Sequence, residues 1–363
     1  LNSLLLINWT TISRKHLYQI RSMVDAGFQV RVFTNDALGD SSRWAANAGD
    51  SVQVFVQPKT LLPRLRQLFR VLRGAGPVCA AIIPPEGRYS PIALLCMKFL
   101  GIRCICVEWG SVATYRTYSW LTRVSMWICY RYADLIWFKE PYMPPLIAAI
   151  SRRPQFFLPN AVEVIATEAQ RPFTSRSIVF LWANRLVPVR YPEWYIKGIK
   201  TLRKEHPVRA VLMGFLSDAA VEAQADIESR CRAQAVDVLE TLEFGDPMPL
   251  MAGSRFFVLA ADGVFGNNAL MEAMALGVVP IVTQSTGVER VVRDGENGFV
   301  APKSESGLLD VMSRAVALDE AAWRRLSDCA VETVRNEFSV HTWRDGFVAM
   351  LRTLTGEINV GQS

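Results

Sequence analysis

The chain is predicted to fold as two consecutive α/β domains, each a doubly wound, Rossmann-like parallel sheet. Short apolar runs alternate with amphipathic helical stretches from the first residues onward, and the alternation restarts after Pro159-Asn160-Ala161-Val162-Glu163. A length of 363 residues is long for one core and comfortable for two, and a hydrophobic content of 50% fills both.

The elements follow in order. Leu4 to Asn8 reads as a strand, Lys15 to Asp25 as a helix closed by Gly27, and Gln29 to Thr34 as the next strand, a βαβ opening. Val52 to Val56 is a strand, Thr60 to Leu72 a helix, Ala80 to Ile83 a strand, Pro91 to Leu100 a helix ended by Gly101, and Ile102 to Val107 a strand. A long aromatic helix is expected from Tyr115 to Arg131, then strands at Ala133 to Phe138 and Gln155 to Leu158. The second half repeats the plan: Ser177 to Trp182, Tyr195 to Lys204, Val208 to Met213, Val221 to Ala233, Val238 to Leu242, Pro249 to Gly253 and Phe256 to Leu259. Trp343 to Leu354 is an amphipathic helix. The expected division is residues 1–163, 164–340 and a terminal helical segment 341–363. No repeat or low-complexity tract interrupts it.

Composition excludes several classes. Seven cysteines, with no Cys-x-x-Cys spacing, give neither a disulfide framework nor a metal site and fit a reducing cytoplasm. The Leu4 to Ile7 run is too short for a signal-peptide core, and Lys98 and Arg103 break the apolar region from Ile92 to Val107, so no transmembrane helix is expected. The chain opens on Leu1 rather than methionine, which suggests a few preceding residues. Charge is uneven: residues 1–165 carry 19 Lys and Arg against 9 Asp and Glu, the remainder 21 against 25, for a net +6. The basic first half points to an anionic surface as partner. No nucleic-acid-binding module is present, so nucleic acid is not expected. The loop after the first strand lacks Gly-x-Gly-x-x-Gly, which disfavours a nicotinamide dehydrogenase.

The run Asn267-Asn268-Ala269-Leu270-Met271-Glu272-Ala273-Met274-Ala275-Leu276-Gly277, followed by Val278-Val279-Pro280-Ile281-Val282, is the most informative. Leu270, Met271, Met274 and Ala275 repeat at helical spacing, Gly277 sits at a C-cap, and a buried strand follows. The helix starts behind a loop bearing Gly263 and Gly266. Its free backbone amides suit a phosphate, while Glu272 suits sugar hydroxyls, a combination that points to a nucleotide or nucleotide sugar.

Here the sequence resembles the retaining GT-B glycosyltransferases of the large family four. Their signature reads Glu-Ala-Met-Ala-x-Gly, a Pro-Val-Val-like strand, a Gly-Gly-x-x-Glu turn and an Asp-Gly-x-x-Gly hairpin. The matching residues stand in order: Glu272 to Gly277, Val279-Pro280-Ile281, Thr286-Gly287-Val288-Glu289 and Asp294-Gly295-Glu296-Asn297-Gly298. Asn184-Arg185-Leu186-Val187-Pro188-Val189-Arg190 resembles the family's Gly-Arg-Leu-x-x-x-Lys, with Arg190 for the lysine. The resemblance implies that Arg185 and Arg190 hold the donor diphosphate as catalytic cations. It implies donor binding by Glu272, Gly266, Asn267, Asn268 and Gly214, and a last helix that crosses back to the first domain. It also implies a UDP- or GDP-sugar donor, a glycan or glycolipid acceptor of the cell envelope, retention of configuration, and neither a metal nor a bound cofactor.

One departure stands out. The family pairs two glutamates with seven residues between them, and counting back from Glu272 lands on Val264. Asp262 is the candidate substitute for the missing acid. Two readings stay open, an active enzyme with a rearranged donor-sugar pocket or a partner subunit that binds nucleotide sugar or glycan without turnover. Asn267 and Asn268 suit donor hydroxyls or helix capping.

The first domain matches less closely. In the loop after the first strand, Thr10, Ser13 and Arg14 stand where relatives carry glycines, and with His16 they are acceptor or phosphate candidates by position; a solvated helix start is the plain alternative. Glu108 and Trp109 end a strand, suited either to an acceptor hydroxyl and a sugar ring or simply to strand termination. Lys59 to Arg73 and Tyr115 to Tyr132 are both basic and apolar. They suggest peripheral contact with the inner face of the cytoplasmic membrane, against the ordinary reading of helices with one core face.

Overall fold

The computed structural model describes residues 3–8, 14–34, 51–58, 60–73, 78–87, 89–109, 111–164, 171–215, 222–243 and 245–355. The chain divides into two compact units, residues 1–161 with 340–363, and residues 162–339. Each unit is Rossmann-like, a sheet of parallel strands with interleaved helices.

Unit 1 carries β1 (Ser3–Asn8), α1 (Arg14–Asp25), β2 (Gln29–Thr34), β3 (Val52–Val56), α2 (Leu61–Arg73), β4 (Val78–Ile83), α3 (Ser90–Phe99) and β5 (Arg103–Glu108). After these come α4 (Trp120–Tyr132), β6 (Leu135–Phe138), α5 (Met143–Ala148) and β7 (Gln155–Phe157). Its sheet runs β3-β2-β1-β4-β5-β6-β7 with parallel neighbours, and its order reverses direction between β1 and β4. The strands read as near-continuous apolar runs because both faces are covered.

The expected helix from Tyr115 to Arg131 is two pieces. A 3-10 segment, Ser111–Thr117, is followed by α4, whose N-cap Ser119 accepts from the Thr122 N–H at 3.3 Å. A serine at a helix start competes with continuation of the preceding turn. The helix α2 is an ordinary core helix. Leu68, Val71 and Leu72 are buried, and the guanidinium of Arg64 lies 4.3 Å from the Tyr89 ring centre while its Nε donates to the Pro58 carbonyl at 2.9 Å.

Unit 2 carries β8 (Ile178–Ala183), α6 (Pro192–Leu202), β9 (Ala210–Phe215), α7 (Glu222–Ala235), β10 (Glu240–Glu243), α8 (Met248–Ala252) and β11 (Ser254–Leu259). It continues with α9 (Asn268–Ala275), β12 (Val279–Thr283), β13 (Phe299–Ala301), α10 (Glu305–Val316) and α11 (Glu320–Glu337). The sheet order is β10-β9-β8-β11-β12-β13, again all parallel, with its reversal between β8 and β11. Ligands of doubly wound sheets bind outside the carboxyl ends of the strands at such a reversal, so each unit has one preferred place for chemistry.

The last helix, α12 (Val340–Thr355), packs with unit 1. Trp343, Phe347, Met350 and Leu354 repeat at helical spacing and enter the same core as Leu4 and Val30. Trp343 also lies against Trp137, and Ser22 Oγ of α1 donates to the Val340 carbonyl at 3.2 Å.

Candidate functional site

At the carboxyl end of β8 the chain turns through Asn184 and Arg185 and returns at Arg190. This turn is clamped to the end of β11: the Tyr191 N–H donates to the Ala260 carbonyl and the Asp262 N–H to the Val189 carbonyl, both at 2.9 Å. Arg190 also bridges Ala261. The arginine turn and the loop leading to α9 therefore sit side by side at the sheet reversal. Arg185 is exposed and Arg190 half-buried. Burial, with the Arg185 charge beside it, pushes the Arg190 guanidinium down to about 10, still fully charged at neutral pH.

The helix α9 carries Glu272 and is buried on all sides. Leu270, Met271, Ala273, Met274 and Ala275 are core residues, and Glu272 itself is 5% exposed. Its N-cap is Asn267, whose Oδ1 accepts from the Leu270 N–H at 3.0 Å. The Asn267 Nδ2 donates to Asn184 Oδ1 at 3.2 Å, tying the start of α9 to the end of β8. Gly266, just before the cap, has φ 74°, a left-handed conformation that glycine adopts freely. Asn268 is the first helical residue and is half-buried.

The far end of α9 is fixed by residues that sequence reasoning passed over. Arg176 is 1% exposed and donates to three carbonyls, those of Arg171, Ser254 and Leu276, each at 2.8 Å. The last is a helix-end carbonyl of α9, and Ser327 Oγ donates to the adjacent Gly277 carbonyl at 2.6 Å. Glu272 thus rides on a helix locked at both ends.

Gly214 has a packing reason to be glycine. A Cβ there would stand 2.4 Å from the Asn184 carbonyl oxygen and 3.1 Å from Leu186 Cδ2. It lets β9 carry the Asn184 turn closely, and so acts on the site through Asn184. That turn holds one unsatisfied group: Asn184 Nδ2 is buried and has no hydrogen-bond partner among the described residues.

Val264 is fully buried, and its N–H donates to Ser285 Oγ at 3.2 Å. The position that would hold the first acid therefore faces packing. Asp262 is exposed, and its Oδ1 accepts from the Tyr191 hydroxyl at 2.5 Å and from Lys303 Nζ at 3.1 Å. The Tyr191 hydrogen bond, with Lys303, holds this carboxyl below its usual range.

In unit 1, Glu108 ends β5 fully buried. One oxygen accepts from the Val112 N–H at 3.0 Å and the other from the Tyr130 hydroxyl. Of the two roles its place at a strand end suggests, this geometry fits the structural one: its oxygens hold the 3-10 segment and α4 against the sheet. His16 is also buried, edge-on to Trp109 with 5.4 Å between ring centres. Burial, with Lys15 and Lys139 adding repulsion, pushes its imidazole down to about 2. It is neutral at physiological pH. Thr10 and Ser13 lie outside the described residues; Arg14 opens α1 with its side chain outside that description.

The same strand ends hold a lysine that the sequence reading missed. Lys139 follows β6 and is 3% exposed. Its Nζ lies 4.0 Å from the Trp109 ring centre and 4.5 Å from that of Trp137, and donates to Asn160 Oδ1 at 2.9 Å. Burial pushes its ammonium well below the usual range, and the neighbouring Glu140 carboxyl is pushed up to about 8, again by burial. A lysine directly after four apolar strand residues is the signal that could have found it. Among the described residues, no three His, Cys, Asp or Glu side chains gather as a metal site.

The sequence profile of the family described as Glycosyl transferases group 1 matches residues 177–317. Unit 2 holds a glycosyl transferases group 1 domain. The domain spans β8 to α10, and so contains the arginine turn, Asp262 and Glu272. A curated relative, the lipopolysaccharide core biosynthesis glycosyltransferase LpsE of Rhizobium meliloti (strain 1021), is 28% identical over 107 residues, 29% of this chain and 31% of that protein. Among solved structures, Anabaena Alr3699/HepE in complex with UDP and glucose superposes with a TM-score of 0.77 at 16% identity, covering 97% of this chain and all (100%) of that one. Sucrose-phosphate synthase of Thermosynechococcus elongatus gives 0.74 at 15% identity, covering 98% and 100%. At these identities the likeness shows the fold, the GT-B class of two Rossmann-like sheets.

Proposed function

We propose that the chain is a glycosyltransferase that moves a sugar from a nucleotide-sugar donor to a cell-envelope glycan or lipid-linked acceptor, with retention and without a metal. The observation that carries the reading is the backbone clamping of the Asn184 to Arg190 turn against the end of β11, the strand whose following loop leads into α9 and its buried Glu272, at one sheet reversal. Guanidinium groups suit a diphosphate, bind it in fork geometry and offset the charge that builds on it as the sugar leaves. Glu272 accepts from ribose hydroxyls in this account. A UDP- or GDP-sugar is the donor class; HepE, of the same fold, has been crystallised with UDP and with UDP-glucose. The relationship to a lipopolysaccharide core enzyme supports an envelope acceptor.

A second reading, a subunit that binds nucleotide sugar without turnover, is favoured by one observation, the burial of Val264 where the first acid would stand. Incubating the protein with UDP, GDP and ADP sugars, with and without candidate glycan acceptors, separates the two. Release of free nucleotide that is lost in Arg185→Ala supports transfer. Thermal stabilisation by a nucleotide sugar without release under any acceptor condition supports the binding subunit, and no stabilisation by any nucleotide overturns both.

A further inference from the structure

Two neighbouring helices of unit 1 turn apolar side chains outward. The helix α4 buries Ser125, Met126, Cys129 and Tyr130, yet its opposite face is Trp120, Leu121, Val124 and Trp127, with Trp120 66% and Trp127 46% exposed. Beside it, α3 ends in Phe99, 90% exposed, and Leu100. Single exposed apolar residues are ordinary; six of them on two helices that pack together, two of them tryptophans, mark a surface that something covers. Between α4 and the preceding 3-10 segment lies a shallow groove lined by Tyr115, Trp120, Arg123, Val124 and Trp127. It places one guanidinium among three aromatic rings.

The charge around this face selects the occupant. From Ser90 to Ala133 the chain carries Lys98, Arg103, Arg116, Arg123 and Arg131 against one acid, Glu108, which is fully buried. Lys98 pairs with Asp134 at 2.5 Å, and Arg153 supplies a further cation by donating from Nε to the Arg131 carbonyl at 3.0 Å. A second copy of the same face would bring like charges together in an isologous contact. An anionic lipid surface offers the opposite charge, headgroup phosphates for Arg123 and an interfacial layer suited to indole rings. No helix among the described residues is long and apolar enough to cross a membrane.

We infer that the α3–α4 face of unit 1 is a docking surface for an anionic bilayer, with Trp120, Trp127 and Phe99 entering the headgroup boundary and the arginines around them meeting lipid phosphates. The amphipathic helix α2, which by sequence alone is an equal candidate, buries Leu68, Val71 and Leu72 in the core of unit 1 and leaves Leu62 as its large exposed hydrophobic, with no aromatic ring exposed beside it among the described residues. The inference is independent of the donor site, since none of these residues belongs to it.

The test is co-sedimentation of the full chain with vesicles of phosphatidylglycerol mixed into phosphatidylcholine, against vesicles of phosphatidylcholine alone. Binding is expected to the anionic vesicles and to fall with added salt, each surface cation contributing about fivefold to partition. The double variant Trp120→Ala, Trp127→Ala is expected to lower partition by roughly tenfold or more through lost apolar insertion. Arg123→Gln with Arg131→Gln is expected to lower partition to the phosphatidylglycerol vesicles by about 25-fold. Both doubles alter solvent-exposed or half-exposed positions, and unchanged thermal melting and nucleotide binding verify that folding is intact. Equal sedimentation with both vesicle types, or anionic binding untouched by either double variant, overturns the inference. So does light scattering that shows a dimer dissolved by Trp120→Ala, Trp127→Ala with no vesicle binding, which assigns the face to a second copy.

Discussion

One side chain, Asn267, both caps α9 through Leu270 N–H and donates to Asn184 Oδ1 at 3.2 Å, so the strand end that leads into Arg185 is joined directly to the helix that carries Glu272. Asn267→Ala is expected to cost about 1 kcal/mol from the lost cap and to weaken nucleotide binding as well, because the two halves of the site lose their tie. Asn267→Asp keeps an acceptor for the cap and is expected to retain most of the stability. Urea denaturation and calorimetric titration with nucleoside diphosphates separate the two effects.

Restoring the missing acid by simple substitution is expected to fail. Val264 is fully buried, so Val264→Glu places a carboxylate in packed surroundings, and a loss of about 3 kcal/mol or more in unfolding free energy is expected. Asp262→Asn, at an exposed position, is expected to change stability by less than about 1 kcal/mol even though it weakens the contacts to Tyr191 and Lys303. Denaturation curves of the two variants, measured side by side, check the contrast.

Gly214→Ala forces its new methyl to within 2.4 Å of the Asn184 carbonyl oxygen. Backbone cannot yield as a flexible side chain does, so a loss of about 1–3 kcal/mol is expected, together with weaker nucleotide binding through a displaced Asn184 turn. A melt shift without any change in nucleotide affinity would show that the turn tolerates displacement.

Stability of unit 1 is expected to fall with acid through His16. Its folded pKa, about 2, lies below the unfolded value near 6.5, so the folded state binds the proton less well. The contribution is whole above the unfolded pKa and is lost as pH falls from about 6.5 toward 2, at no more than about 1.4 kcal/mol per pH unit. Lys15 and Lys139, the facing cations, deepen the penalty. His16→Gln is expected to flatten the acid limb of the stability profile, measured by chemical denaturation at stepped pH.

Strand and helix positions were legible because alternation and periodicity report burial directly: β2 and β3 fall where the apolar runs place them. The 3-10 break before Trp120 was not, since Ser119 becomes a cap only once the following amides need one. In unit 2 the helix carrying Glu272 was readable from its spacing and the arginine turn was singled out by the family resemblance, whereas Arg176 was marked by neither. Its three carbonyl partners come from segments as much as 100 positions away, and no local pattern announces them. Glu108 looked available by its place at a strand end; its burial depends on Tyr130, which a helix brings over it. Lys139 escaped notice because a single cation after a strand ordinarily faces water.

The central claim is that the arginine turn and Glu272 form one nucleotide site. Isothermal titration of UDP and GDP into the wild type, Arg190→Ala and Glu272→Ala tests it most directly. One nucleotide is expected to bind the wild type, with affinity lowered roughly tenfold or more in each variant, a loss of about 1.4 kcal/mol or greater. Binding of neither nucleotide to the wild type, or equal affinity in all three proteins, would contradict it.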